Sequence, residues 1–291
     1  MGRVEEIIER VWPGRRTEFE TLGGGITNRN FKVTVDGSSY VLRIGGKDTE
    51  LLGIDRRAEH VASLAAEAVG VGPQVVAFVE PEGYLVTRFV GGTAVTPEAI
   101  REPQTLRRIA GSLQAIHAGP AIPARFDSFR VVETYAATAA AQGVTIPDAF
   151  GRAQETAAQV ERARGPVSER PCHNDLLTAN FIDDGARMWI VDWEYAGMGD
   201  VFFDLANFTV NNGLDDDESS ELLRVYFGEV TPSHERSLAL MRFMSDFREA
   251  MWGVVQQALS DLDFDFRGYA DQHFERLERT AVEPSFRRAL G

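Results

Sequence analysis

The chain has one cysteine, Cys172, and two lysines, Lys32 and Lys47, in 291 residues. A lone cysteine has no partner for an internal disulfide, which fits a reducing compartment and leads us to expect a cytoplasmic protein. Neither lysine is followed by Ser or Thr: Val33 and Asp48 stand there instead. That excludes the Walker A loop, which needs Gly-Lys-Ser/Thr. Basic residues are few overall, 30 Lys plus Arg against 44 acids, for a net charge of −14 and an isoelectric point near 4.9. Nucleic acid demands basic patches, so it is not an expected partner; a small cationic substrate suits such a field. No apolar run approaches the roughly eighteen residues a membrane span needs, and the opening MGRVEEIIERVW has no secretory apolar core. We therefore expect no membrane insertion. Internal repeats and low-complexity linkers are also missing. What is present is 44% apolar residues, enough to build a core in one large domain or two lobes.

The chemistry is concentrated in Cys172 to Gly197, CHNDLLTANFIDDGARMWIVDWEYAG. Asp175 follows His173 by two residues, and Asn180 follows Asp175 by five. A turn at Asp183-Asp184-Gly185 leads into the apolar run Met188 to Val191, which ends on Asp192. Phosphoryl transfer from ATP needs this combination. One carboxylate orients the attacking hydroxyl and takes its proton, and further hard oxygen ligands hold magnesium against the phosphates. Asp175 is the expected base, and Asn180 and Asp192 are the expected metal ligands. His173 is expected to brace the loop rather than move protons. Glu194 has two open readings, a water-mediated metal contact or a substrate contact.

At these residues the sequence resembles the kinase-like phosphotransferases that include aminoglycoside phosphotransferases and choline/ethanolamine kinases. The HND…N and DWEYAG wording is nearest the choline/ethanolamine kinase branch. Protein kinases carry Arg after the His and Phe-Gly after the second Asp; here Asn174 and Trp193-Glu194 stand there, which argues for a small-molecule acceptor. The resemblance implies a bilobal, protein-kinase-like α+β fold. Residues 1–90 would form an antiparallel-sheet nucleotide-binding lobe, and residues 91–291 a mainly helical catalytic and substrate-binding lobe. ATP and Mg²⁺ would be the cofactors, and a small alcohol the acceptor, choline first and then ethanolamine. Two rival readings are an aminoglycoside or other small-metabolite phosphotransferase and a non-catalytic nucleotide-binding module. The sequence leaves the oligomeric state open.

The rest of the chain fits around this. Val4 to Val11 has helical spacing and stops at Pro13-Gly14. A glycine loop, Gly23-Gly24-Gly25-Ile26-Thr27-Asn28, precedes strand-like alternation at Phe31, Val33 and Val35. Asp36-Gly37 is a hairpin turn, and Tyr40 to Ile44 is the returning strand. The loop either cradles phosphates through its backbone or is an ordinary turn; we take Gly24, Gly25, Thr27 and Asn28 as candidate nucleotide contacts. Alternation places Val41 and Arg43 on one face of the returning strand. The resemblance makes Arg43 the phosphate-binding cation and Glu59 its partner. Glu59 lies on a helix predicted over Asp55–Ala68, roughly opposite an apolar stripe of Val61, Leu64, Ala65 and Ala68.

Two further strands, Gln74 to Val79 and Gly83 to Phe89, lead to Val90. There the resemblance expects a hinge binding adenine through the backbone around Phe89 and Val90. Helical patterns follow: one at Leu106, Ile109, Leu113 and Ile116, closed by His117, then Thr134–Ala141 and Pro147–Arg164. Asp204, in Phe202-Phe203-Asp204-Leu205-Ala206, matches a family position that supports the catalytic loop. The acidic run from Asp215 to Glu218 reads as a helix start. In the C-terminal stretch Phe247–Phe274, the resemblance places an aromatic box for a quaternary ammonium at Tyr195, Trp252 and Tyr269. Val255 stands where eukaryotic choline kinases often have a second Trp, and Asn211 where some carry a carboxylate.

Overall fold

The computed structural model describes residues 3–23 and 28–291. Helix α1 (Arg3–Val11) leads into strands β1 (Thr17–Leu22), β2 (Asn28–Val35) and β3 (Ser38–Gly45), helix α2 (Arg56–Ala68), and strands β4 (Val75–Val79) and β5 (Tyr84–Arg88). The five strands form one antiparallel sheet in the order β1-β2-β3-β5-β4. Asp36 and Gly37 both take positive φ, 47° and 85°, the backbone a two-residue hairpin needs. With that register, Phe31, Val33, Val35, Leu42 and Ile44 bury against Ile7 and Ile8 of α1. The opposite face presents Val41 and Arg43 to a cleft.

Helix α2 corrects one expectation. Val61 and Leu64 are 39% and 42% exposed, and the buried face is Ala58, Glu59, Ala62, Ser63, Ala65 and Ala66. The alanines let the helix approach its neighbours closely, and two arginines meet the Glu59 carboxylate, so the helix turns its charge inward. Leu64→Gln should therefore change stability by less than about 0.5 kcal/mol, whereas Ala62→Leu, overpacking the inner face, should cost about 1–3 kcal/mol. Urea unfolding of both variants checks the facing.

The remaining elements build a mainly helical lobe. They are β6 (Thr93–Ala94), α3 (Pro103–His117), α4 (Ser128–Ala141), α5 (Ala149–Arg164), β7 (Arg170–Cys172), β8 (Phe181–Asp183), β9 (Met188–Ile190), β10 (Gly197–Gly199), α6 (Val201–Asn211), α7 (Asp216–Phe227), α8 (Pro232–Leu259), α9 (Phe266–Val282) and α10 (Pro284–Leu290). Helix α4 starts six residues before its predicted Thr134, because Asp127 caps it by accepting the Phe129 and Arg130 N–H groups. The acidic run does open a helix: Asp215 and Glu218 form a reciprocal capping box on α7.

Helix α8 runs through the centre of this lobe, packing on α4, α6 and α9. Its segment from Ser237 to Gln256 is buried on nearly every side. Small ribbons complete the scaffold: β10 pairs with β7, and β6, β8 and β9 form a three-stranded sheet. The β8–β9 hairpin is anchored to α3 by Arg108, which grips both Asp183 oxygens at 2.5 and 2.8 Å. At Gly92 a Cβ would lie 2.5 Å from the Asp183 carbonyl oxygen, so only glycine lets the chain leave the sheet lobe at this point.

Candidate active site

The loop between β7 and β8 carries Asp175, and its shape is imposed by the first turns of α6. Asp204, fully buried, accepts the His173 N–H at 2.8 Å and the Asn174 N–H at 2.6 Å. It also accepts His117 Nε2 at 3.0 Å, while His117 Nδ1 meets the Tyr226 hydroxyl at 2.6 Å. One turn on, Asn207 Oδ1 accepts the Leu176 N–H at 2.6 Å. Asn174 is held at φ 66°, with its side-chain amide donating to the Tyr195 carbonyl at 3.0 Å. A non-glycine residue in this conformation persists only where its surroundings enforce it. His173 is buried with both ring nitrogens engaged: Nε2–H donates to the Val191 carbonyl at 3.0 Å, and Nδ1 accepts the Asp175 N–H at 3.2 Å. Burial lowers its pKa, so the ring is a neutral strut.

Asp175 is directed toward α8. Its Oδ1 accepts a hydrogen bond from Arg248 Nη1 at 3.1 Å. Burial pushes the Asp175 carboxyl up to about 7, with Arg248 opposing the rise and the nearby Glu249 and Asp192 adding to it. Asn180 donates its Nδ2 to the Asp175 carbonyl at 2.9 Å, which leaves its Oδ1 as the atom for a further ligand. Val191 N–H donates to the Asn180 carbonyl at 3.0 Å, tying the start of one strand to the end of the next. Asp192 follows at φ 71°.

Asn180 and Asp192 line a cleft of about 410 Å³ between the lobes, together with Arg43 and Glu59 on the facing wall. Arg43 Nη1 bridges Glu59 Oε1 at 2.9 Å and Asp192 Oδ1 at 2.5 Å. Burial works against its charge, but Asp192, Glu59 and Glu194 outweigh it and raise its pKa. Phe89 and Val90 line the same cleft. The Phe89 N–H is already given to the Ser39 carbonyl at 3.1 Å.

A second arginine, missed in the sequence, holds the same glutamate. Arg56 Nη1 reaches Glu59 Oε2 at 2.7 Å and Glu194 Oε2 at 3.1 Å, and Nη2 donates to Asn28 Oδ1 at 3.0 Å. Asn28 Nδ2 in turn donates to Glu194 at 2.9 Å. The side chains of Asn28 and Glu194 are thus engaged with each other and with the sheet lobe. Burial, and then the Asp192 charge, push the Glu194 carboxyl up to about 8. Gly24, Gly25 and Thr27 lie outside the described residues. The signal for Arg56 was its position three residues before Glu59 on one helix, where the two side chains are neighbours.

The three aromatic candidates do come together. Trp252 Nε1–H donates to the Tyr195 hydroxyl at 3.1 Å, and the Trp252 and Tyr269 rings meet edge-on with centroids 5.6 Å apart. Gly253 makes this crossing of α8 and α9 possible: a Cβ there would lie 3.0 Å from both the Phe266 carbonyl oxygen and the Tyr269 ring. Among them sit two charged residues that sequence reading passed over, Arg248 and Glu249. Glu249 accepts Arg248 Nη1 at 2.7 Å, Tyr269 OH at 2.8 Å, Asn207 Nδ2 at 3.2 Å and Asn211 Nδ2 at 3.4 Å. Asn211 thus stands beside a carboxylate that comes from α8, and donates to it.

Asn180, Asp192 and the Arg43–Glu59 pair stand around one cleft, with the Asp175 loop tied to Asn180, an arrangement that suits a phosphotransferase with a kinase-like fold. The sequence pattern of the phosphotransferase enzyme family matches residues 18–240. A choline/ethanolamine kinase family protein from Mesorhizobium loti superposes with a TM-score of 0.85 at 32% identity, covering 100% of this chain and 98% of that one. The choline kinase LicA from Streptococcus pneumoniae shares the fold with a TM-score of 0.81 at 22% identity, covering 96% of this chain and 99% of that one. Mouse ethanolamine kinase 2 is 28% identical over 310 residues, covering 94% of this chain and 79% of the relative. The chain belongs to the phosphotransferase enzyme family and, within it, to the choline/ethanolamine kinase family.

Proposed function

We propose that the protein transfers the γ-phosphoryl group of ATP, with Mg²⁺, to the hydroxyl of a small cationic amino alcohol, choline or ethanolamine. The observation that carries this reading is the meeting of Asn180, Asp192, Arg43 and Glu59 in the interlobe cleft, with the backbone carbonyl of Asp175 bonded to the Asn180 amide. Asp175 orients the acceptor hydroxyl and takes its proton, and a half-buried carboxyl pushed up to about 7 is suited to that exchange. Arg43, held in place by Glu59, faces the nucleotide phosphates. Gly24, Gly25, Thr27 and Asn28 stay our candidate contacts for the phosphates, and Phe89 and Val90 for the base. We take the lobes to divide at Val90–Gly91, beside the close approach at Gly92.

The donor set fits magnesium, because Asn180 offers an amide oxygen and Asp192 a carboxylate, both hard ligands. When bound, the ion would neutralise phosphate charge. Tyr195, Trp252, Tyr269 and Glu194 belong to the acceptor end, and His173 and Asp204 hold the loop. Among the described residues no helix is long and apolar enough to cross a membrane, and the single thiol is buried; we place the enzyme in the cytoplasm.

The test is ADP release from Mg·ATP by the purified protein with choline, ethanolamine and an aminoglycoside as separate acceptors. Stimulation by an amino alcohol is the expected result; stimulation by the aminoglycoside alone would remove the reading. Asp192→Asn should raise the magnesium concentration for half-maximal turnover by about 10–100-fold, the scale on which altered metal sites lose affinity. A magnesium titration of initial rates measures this, and an unchanged midpoint would take Asp192 out of the metal site.

A further inference from the structure

We propose that Arg248 is a specificity-determining residue: seated on the ring face of Tyr195, it closes the acceptor site to a trimethylammonium group and leaves it open to a primary ammonium. The proposal rests on the amino-alcohol reading above and says which amino alcohol the site takes.

The Arg248 side chain is 1% exposed, and its guanidinium carbon lies 4.5 Å from the Tyr195 ring centroid. The protein thus supplies its own cation to the ring face that a substrate ammonium would need. The guanidinium is fixed there from two sides, by Asp175 Oδ1 at 3.1 Å and Glu249 Oε1 at 2.7 Å. Its Nε and Nη2 have no hydrogen-bond partner among the described residues. Displacing it would strip two carboxylates, the buried Glu249 and the half-buried Asp175, of their counter-charge, which is strongly unfavourable.

The neighbouring rings offer little replacement. Trp252 has its N–H tied to the Tyr195 hydroxyl, and Phe266 and Tyr269 meet it edge-on with centroids 5.8 and 5.6 Å away. Glu249 already accepts from Arg248, Tyr269, Asn207 and Asn211. Arg248 is one cation between two carboxylates, Asp175 and Glu249, while Glu194 is taken up by Arg56 and Asn28.

The two candidate cations differ in what they require of such a site. A trimethylammonium group has no N–H to donate, is larger, and depends on free aromatic faces. A primary ammonium is small and donates three hydrogen bonds, which hydroxyl oxygens such as those of Tyr195 and Tyr269 can accept. With the Tyr195 face occupied, the arrangement favours the second.

The experiment compares kcat/KM for ethanolamine and choline in the wild-type enzyme and in Arg248→Met, which keeps an unbranched apolar stem and removes the guanidinium and its charge. We expect the wild type to favour ethanolamine by about tenfold or more, and the variant to move the ratio toward choline by about tenfold, whatever happens to turnover on both. Because each variant is judged on a ratio, a shared loss of activity does not obscure the result. If Arg248→Met does not fold, calorimetric competition on the wild type decides: ethanolamine binding that excess choline fails to displace supports the proposal, and displacement at equal concentration overturns it. A wild type that prefers choline, or a ratio unchanged in the variant, also overturns it while leaving the amino-alcohol reading intact. No stimulation of ADP release by either alcohol removes that reading, and the proposal with it.

Discussion

Replacing Asp175 with alanine should lower turnover by about 10²- to 10⁴-fold, the contribution of a positioned general base, while ATP binding stays close to wild type. The two effects separate because of where the residue sits. Its carboxylate is turned toward Arg248 on α8, whereas the groups proposed for the nucleotide, Arg43 with Glu59, stand on the opposite wall. Asp175→Asn sharpens the test, since the amide still accepts a hydrogen bond from Arg248 but cannot take a proton. Initial rates of ADP release and calorimetric titration with a non-hydrolysable ATP analogue measure the two quantities. If Asp175→Asn turns over at near the wild-type rate, the carboxylate is not the base.

Replacing Asp204 with alanine should destabilise the fold by about 3–5 kcal/mol, the cost of removing one partner from a buried charged network. Three donors lose their acceptor together: the backbone N–H groups of His173 and Asn174, and His117 Nε2. Each buried donor left unpaired costs about 1–3 kcal/mol. Turnover should fall as well, because these bonds hold the loop that presents Asp175. Urea unfolding at constant m-value reads the stability term. A change under about 1 kcal/mol would mean that the loop is held by other contacts. Asp204→Asn, which keeps one oxygen acceptor, should fall between the two.

The parts of this arrangement that sequence reveals are those where periodicity is unambiguous. The sheet strands are half-buried, so a period of two fixes which residues face the core, and Arg43 was placed on the cleft side by that rule. The loop from His173 to Asp192 is legible because its spacing matches a chemical need. Helix α8 was not legible in the same way. From Ser237 to Gln256 almost every face is buried, so helical spacing cannot say which face meets the site. Nothing in the sequence singles out Arg248 and Glu249, and only their partners on α6, α9 and the catalytic loop do so. On α2 the weak contrast between alanine and its neighbours allowed a false stripe, and the charge of Glu59 appeared to point outward. It points inward because Arg43 and Arg56 meet it. Glu194 escaped for a third reason. The positive φ at Asp192 breaks strand alternation just before it, so counting along the chain no longer gives its direction.

Asp192 and Glu194 stand two residues apart on one lobe, and each is held by an arginine of the other, Arg43 and Arg56. The seam beside the cleft is therefore a pair of charge clasps rather than an apolar contact. Parting the lobes there would expose both clasps to water together, so opening should be a single step and not a gradual widening. Buried pairs are poorly screened; the closed state should consequently tolerate salt, while the opened state, with four newly hydrated charges, should be the form that ionic strength favours. A salt-dependent rate of product departure, alongside a salt-independent chemical step, would be the kinetic trace of this seam.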